Sequence, residues 1–432
     1  MADGISIGSN DTQTLMNHVF SNNTGDGIDL DGDNSTLALS DVTSTDNVEE
    51  NFEISGNSNT ISIRNSRFSN SIEQDGLDIQ GSGNTVSVRN TTFSSNFDDG
   101  FDIQGSGNPV TWDGVSSTNN GEEGFEIDGS DNTVTIRNSS ISSNSDDGFD
   151  IDATGRGNQV SLFNTTFSGN ADDGFDILGT NNTVNWDGVS STNNGEEGFE
   201  IDGSDNTVTI RNSSISSNSD DGFDIDATGT GNTVSVIDTT FSGNADDGFD
   251  ILGTNNTVNW DGVSSTNNGE EGFEIDGSDN TVTIRNSSLS SNSDDGFNLD
   301  TTGSGNTVFL IDSLFSNNAG DGIDINSDDN IIGIFQVGLI DNADNGLEIE
   351  GDNNIITISD STFTGNGGQA ILIEGNNNTI TISDSIFSSG QGIVDLGIGN
   401  TLVAFNNTGL DAITPVSNGI DLGGCSVDSL IG

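Results

Sequence analysis

The sequence predicts an all-β parallel solenoid, a β-helix with three short strands in every turn of about 24 residues. Three observations predict it. The chain repeats itself at a fixed step, its apolar residues alternate with polar ones in short runs, and no stretch of even ten residues carries a helical period. Two-residue hairpin loops are also missing, so each strand is expected to pair with its equivalent one turn along rather than with its chain neighbour.

The repeat is read from the apolar residue that follows glycine in the D-G-Φ-D-I motif. Those residues are Phe101, Phe125, Phe149, Phe175, Phe199, Phe223, Phe249, Phe273, Phe297 and Ile323, at steps of 24, 24 and 26 that recur three times. A 24-residue unit is therefore nested in a 74-residue unit, and "NADDGFDILG" appears letter for letter at Asn170 and Asn244. The longer step arises where "IDATGRGNQV" or "IDATGTGNTV" replaces the shorter "IDGSDNTV". Equivalent positions begin at Ile5, run through Ile28, Phe52 and Leu77 to Leu347 and Ile371, and lose regularity at Ile393 and Ile420. That gives about 17 turns and, at about 4.8 Å per strand spacing, a length of roughly 80 Å. Residues 1–432 are read as one elongated domain, with 98–323 its most regular part and 385–432 a less regular end, the expected subunit junction.

Within one turn the elements follow in order. The first strand is "NTVTI" (132–136), the second "SSISSN" (139–144) and the third "DGFDI" (147–151). Alternation sends Val134, Ile136, Ile141, Phe149 and Ile151 inward and Thr133, Thr135 and Asp150 outward. Gly, Asn, Ser and Asp fill the corners between them, as tight turns require. Trp112, Trp186 and Trp260 recur at a step of 74 where other turns place Ile or Val, so they are expected in the core. Asn84, Asn132, Asn158, Asn206, Asn232 and Asn280 form a column whose amides are expected to bond one another and the corner backbone.

Charge limits the function classes. Seventy acidic residues stand against seven basic ones, all Arg, for a net charge of −63, which leaves no basic patch for nucleic acid or an anionic membrane. No apolar run approaches the length of a membrane span, and "MADGISIGSN" lacks the basic and apolar regions of a secretory signal, so an export route is not visible. A single cysteine, Cys425, excludes an intramolecular disulfide.

The acids stand in three columns. Before glycine come an outer column, Asp98, Glu122, Asp146, Asp172, Glu196, Asp220, Asp246, Glu270 and Asp294, and an inner column, Asp99, Glu123, Asp147, Asp173, Glu197, Asp221, Asp247, Glu271 and Asp295. After the apolar residue come Asp102, Glu126, Asp150, Asp176, Glu200, Asp224, Asp250 and Glu274. Neighbours in a column lie about one strand spacing apart, where two unit charges repel by about 1 kcal/mol in water and several times more at a protein surface. An all-oxygen ligand set at a glycine corner suits a hard cation, and Ca2+ tolerates irregular geometry better than Mg2+. The columns are therefore expected to bind Ca2+ at multiple sites between successive turns. Neither an EF-hand loop nor a nonapeptide calcium repeat is present. Arg64, Arg89, Arg137, Arg211 and Arg285 follow the first strands and are expected to pair with nearby carboxylates, while His18 has no second His to complete a metal set.

Together, the 24-residue unit, its three alternating segments and the D-G-Φ-D-I corners resemble the right-handed parallel β-helix, the pectate-lyase-like superfamily with its parallel β-helix repeats, over essentially the whole chain. The resemblance implies the hand, which periodicity alone does not set. It also implies a fold whose enzymes are mostly polysaccharide lyases and hydrolases. Here the Gly-His-Gly and Arg-x-Lys segments of the polygalacturonase-like pattern are absent, there is no Lys, and the acidic pairs recur in nearly every turn instead of marking one site. The chain is accordingly expected to belong to a non-enzymatic branch and not to be an enzyme.

The expected function is that of an extracellular or cell-surface structural protein, a Ca2+-stabilised β-helix assembling head to tail with copies of itself into a filament, sheath or surface layer. The final residues, "GGCSVDSLIG", still read as a corner and a strand, which is the basis for an end-to-end homopolymer. A surface adhesin or carbohydrate-binding β-helix is the alternative, with surface glycans as its partners. The outward pairs Thr133 and Thr135, Thr207 and Thr209, and Thr281 and Thr283 resemble the Thr-x-Thr face of ice-binding solenoids. Pro109, Gln159, Asn185, Asn259 and Phe309 interrupt that face.

Overall fold

The computed structural model describes residues 3–388, 391–410 and 413–415. Two compact units divide the chain, Met1–Asp220 and Asp221–Gly432, and both are built from the same turn. Each turn contributes a five-residue first strand, a second strand of two or three residues and a short third segment, giving about 17 turns with no helix among the described residues.

In the first unit the first strands run from Thr12–Met16 to Thr207–Arg211 and pair in parallel, turn upon turn. Register is strict: Val110 faces Val134 and Val160 faces Val184, so like sits on like. The second unit repeats this from Thr233–Ile237 to Thr401–Phe405. Such stacking leaves every inward residue above and below its equivalent. Phe149 stacks on Phe125 and Phe175 with ring centroids 4.7 and 4.6 Å apart, and in the second unit Phe249 stacks on Phe273 at 4.9 Å. Trp112 lies flat against Phe93 at 5.5 Å, and all three tryptophans are at most 1% exposed, as the sequence predicts.

Strand limits shift slightly from the sequence reading, to Thr133–Arg137, Ser140–Ser142 and Phe149–Ile151. Asn132, Ser139, Asn144, Asp147 and Gly148 are corners instead, because their side chains or their lack of one serve the turn. Gly124 illustrates the last case: a Cβ there would sit 2.2 Å from Ile141 Cγ2 and 2.7 Å from the Gly148 carbonyl. Space, not φ, demands glycine at this corner. Asn138, just after the first strand, instead adopts φ 50°, the left-handed region that Asn tolerates.

Two asparagine ladders run along the corners. In the expected one, each backbone N–H donates to the amide oxygen of the next turn (Asn132 to Asn158 and Asn158 to Asn182, both 2.8 Å), while Nδ2 donates to a glycine carbonyl. Amide-to-amide bonding occurs in a second ladder that the sequence reading did not single out. There Asn120 Nδ2 donates to Asn144 Oδ1, and Asn144 Nδ2 to Asn170 Oδ1, both at 3.0 Å. One further difference concerns Asp150. It was expected to face outward into solvent, yet it is 4% exposed, because its column neighbours and the inner column wall it in.

Candidate metal centre

The D-D-G-Φ-D corner sets where its carboxylates go. The glycine N–H donates to the inner acid's carbonyl one turn on (Gly124 to Asp147 3.1 Å, Gly148 to Asp173 2.9 Å), which locks the corners in register. The inner acid's own N–H is capped by the carboxylate below it: Asp99 N–H donates to Asp75 Oδ1 and Glu123 N–H to Asp99 Oδ1, both at 2.8 Å. The same bond joins Asp173 to Asp147 and Asp247 to Asp221, at 2.7 and 2.6 Å. Each inner aspartate thus uses one oxygen on the backbone and turns the other toward its neighbours.

The third column meets the inner column from the adjacent strand. Asp75, Asp99 and Asp102 bring carboxylate oxygens within 4.8 Å of one another, as do Asp99, Glu123 and Glu126, and Asp102, Glu126 and Asp128. Burial is deep. Asp99 is 4% exposed, Asp102 2%, Asp173 3%, Asp176 5% and Asp247 4%. Asp78 Oδ1, Asp102 Oδ1, Asp150 Oδ1 and Asp176 Oδ1 are buried without a hydrogen-bond partner. A carboxylate oxygen in that condition costs more than almost any other buried group unless a charge or a proton meets it.

Titration follows. Desolvation, reinforced by carboxylate neighbours, pushes Asp99, Asp102, Asp150, Asp173, Asp176, Asp247 and Asp250 well above the ordinary aspartate value. Asp147, Glu126, Glu271 and Asp295 rise to about 8 for the same first cause, and Glu274 to about 7. No basic residue enters these clusters. Arg89 pairs instead with Asp113 at 3.4 Å on the first-strand face, and Arg137 lies 4.4 Å over the Phe163 ring. His18 Nδ1 sits 2.9 Å from the Met16 carbonyl, away from any such group.

The predicted ligand set divides accordingly. The structure brings the inner and third columns together in the clusters above, and at their own places in the columns Glu197, Asp221 and Asp224 are buried and Glu200 is half-buried. It leaves the outer column aside: Asp98, Asp146, Asp172, Asp220 and Asp246 are half-buried, and Glu122, Glu196, Glu270 and Asp294 are exposed. Sequence reasoning also missed members. Asp26, Asp29, Glu50 and Glu53 form the same arrangement, with Asp26 raised to about 8 by burial and Glu50. Asp75, Asp78, Asp128, Asp321, Asp324 and Glu348 continue it, and burial lifts Asp321 to about 10. The signal was available in "GDGIDL" (25–30), "EENFEI" (49–54), "QDGLDI" (74–79) and "GDGIDI" (320–325), which carry the same spacing.

A set of oxygen donors with no nitrogen or sulfur can hold a hard divalent cation of the Ca2+ type. Among the described residues, no helix is long and apolar enough to cross a membrane.

Comparisons with known proteins place the fold. The family described as "Right handed beta helix region" matches residues 75–235, 155–308 and 231–408. No curated protein sequence is significantly similar to the chain. Among solved structures, it is similar to the periplasmic alginate epimerase AlgG (12% identity, 78% of this chain and 74% of that one, TM-score 0.39). Pectate lyase Pel9A matches at 16% identity over 78% of this chain and 71% of its own, with TM-score 0.26. The Siphovirus 9NA tailspike receptor binding domain matches at 11% over 97% and 74%, with TM-score 0.32. At these identities the likeness extends to the fold alone. One expectation is corrected by it: the reading that this chain belongs to a non-enzymatic branch and is not an enzyme does not stand, because structures similar to it include an epimerase and a lyase. The symmetry argument behind that reading fails physically. A repeated acidic column says nothing about what another face of the same turns can do.

Proposed function

Taking as its premise that this chain belongs to the right-handed β-helix family, we propose that it is an extracellular structural protein whose β-helix is stabilised by Ca2+ bound along the inner and third carboxylate columns. One observation carries the reading: carboxylates as buried as Asp102 and Asp176 recur turn after turn with an oxygen that meets no donor and with no base beside them. Protons or cations must neutralise them, and at neutral pH outside a cell Ca2+ is the abundant hard cation that fits an all-oxygen set. In the same reading, copies of the chain associate end to end into a filament. At a net charge of −63 two copies repel strongly, and bound Ca2+ lowers that repulsion. The residues that prompted the end-to-end expectation, 423–432, lie outside those described.

The test is a thermal melt followed by the fluorescence of Trp112, Trp186 and Trp260, in millimolar Ca2+ and after chelation, with electron microscopy of both samples. One site held at a hundredfold excess over its Kd adds about 2.7 kcal/mol, worth several °C in a domain of this size. Chelation is expected to lower Tm by at least that amount and to disperse filaments, and Mg2+ is expected to restore neither. An unchanged melt would overturn the calcium reading; dispersed particles in both samples would overturn the assembly.

A further inference from the structure

Not every turn is alike along the acidic wall. In every third turn glutamate replaces aspartate in both columns, at Glu50 and Glu53, Glu123 and Glu126, Glu197 and Glu200, and Glu271 and Glu274. The extra methylene changes the contacts. Asp99 lies within hydrogen-bonding reach of both Glu123 and Glu126 of the following turn, and Asp247 of both Glu271 and Glu274. Asp173 meets Glu197 in the same way. Where aspartate follows aspartate, as at Asp75 to Asp99 or Asp147 to Asp173, the carboxylate below caps the backbone N–H above it.

The glutamates also stop capping. Each inner aspartate gives one oxygen to the N–H of the next turn, but no such bond runs from Glu123 to Asp147 or from Glu271 to Asp295. Of their oxygens, Glu271 Oε2 is buried without a hydrogen-bond partner. Beside them the preceding turn supplies a third-column aspartate. Asp102, 2% exposed and with an unpartnered oxygen, lies within 4.8 Å of Glu126 and Asp128.

From this we infer that the cation sites are spaced one per three-turn unit, at Asp99/Glu123/Glu126, Asp173/Glu197/Glu200 and Asp247/Glu271/Glu274, and not one per turn. The inference rests on the calcium reading above and fixes where and how many. Two flanking glutamate turns are excluded by their amides. Gln74, with its nitrogen turned toward Glu50, donates to Glu50 Oε2 at 2.8 Å, and Asn345 Nδ2 donates to Glu348 Oε2 at 2.7 Å. In the third site Asn298 Nδ2 takes only Glu274 Oε1, at 2.6 Å, and leaves the other three glutamate oxygens. Spacing has a physical reason too. Divalent ions in adjacent turns would sit about 4.8 Å apart and repel, whereas at three times that separation, about 14 Å, the repulsion falls about threefold from distance alone. The grouping of Asp75, Asp99 and Asp102 shares Asp99 with the first glutamate site, so an ion in one competes with an ion in the other.

The experiment is calorimetric titration of the full chain with Ca2+ alone, with the bound ion counted by equilibrium dialysis. Three tight sites are expected. Glu123→Gln with Glu126→Gln should leave two, as should Glu197→Gln with Glu200→Gln if the first pair fails to fold. Asp146→Asn, in the outer column of an aspartate turn, should leave three. A count near one per turn, or loss of a site in Asp146→Asn, overturns the three-site assignment while the calcium reading stands. No saturable binding at all overturns the calcium reading itself, which the chelation melt reports independently.

Discussion

Asp102 follows a core phenylalanine, is 2% exposed and meets no donor. What such a residue does to stability depends on the proton. Its folded pKa and those of its column mates lie above the unfolded values of 3.8 and 4.5, with Glu126, Asp147, Glu271 and Asp295 near 8. Between those limits the folded chain binds more protons than the unfolded one, so raising the pH destabilises the fold. In chelator, Tm is therefore expected to be highest near pH 4 and to fall steadily through pH 8. With Ca2+ present the fall should flatten, because the ion replaces the proton. A chelated Tm that rises over that range in a pH-resolved melt would show that the columns are solvated. Asp150 marks the limit of reading at this scale. Alternation tells which side of a strand a residue takes, and it cannot tell that a whole column of neighbours will cover it. The acidic columns were legible because their spacing is literal; the split between inner and outer acids was not, since it depends on which oxygen the backbone takes.

At the level of the element, the corners hold the turns in register as much as the strands do. Asn144 is fully enclosed in its ladder: it accepts from Asn120 N–H and Nδ2 at 3.2 and 3.0 Å and donates onward to Asn170. Truncating it leaves Asn120 Nδ2 with one acceptor fewer inside a closed corner. Asn144→Ala is expected to cost about 1–3 kcal/mol, read as a lower midpoint in urea. Thr135→Ala, on the outer face of the neighbouring first strand, should change stability by no more than about 0.5 kcal/mol. Equal effects of the two substitutions would mean the ladder contributes nothing beyond ordinary surface contacts. The strands themselves were readable to within a residue or two from alternation. The amide-to-amide ladder was not, since Asn120, Asn144 and Asn170 sit in runs of Ser, Asn and Gly where any polar residue makes a plausible turn.

For the molecule as a whole, the unit of construction is three turns. Residues 98–171 make up one such unit, because Asp98 and Asp172 are equivalent, and the excision joins Phe97 to Asp172 at a corner like the one it replaces. Deleting 98–171 is expected to preserve the β circular dichroism signal per residue and to reduce the calcium count by one, with Asp173/Glu197/Glu200 intact. A deletion of 24 residues, such as 99–122, would put a glutamate turn directly after Gln74 and Asp75, so that Asp75 takes the place of Asp99 before Glu123 and Glu126. Loss of folding in the 74-residue deletion, seen as a collapsed β signal, would show that the turns are less interchangeable than their register implies. The near-identity of these units also bears on inheritance. Two copies of a gene that encodes "NADDGFDILG" at Asn170 and again at Asn244 can mispair at that segment, and an exchange there adds or removes 74 codons without disturbing the reading frame or any corner. Descendants of such a gene would differ in length by whole multiples of that step, each carrying its glutamate turns in proportion.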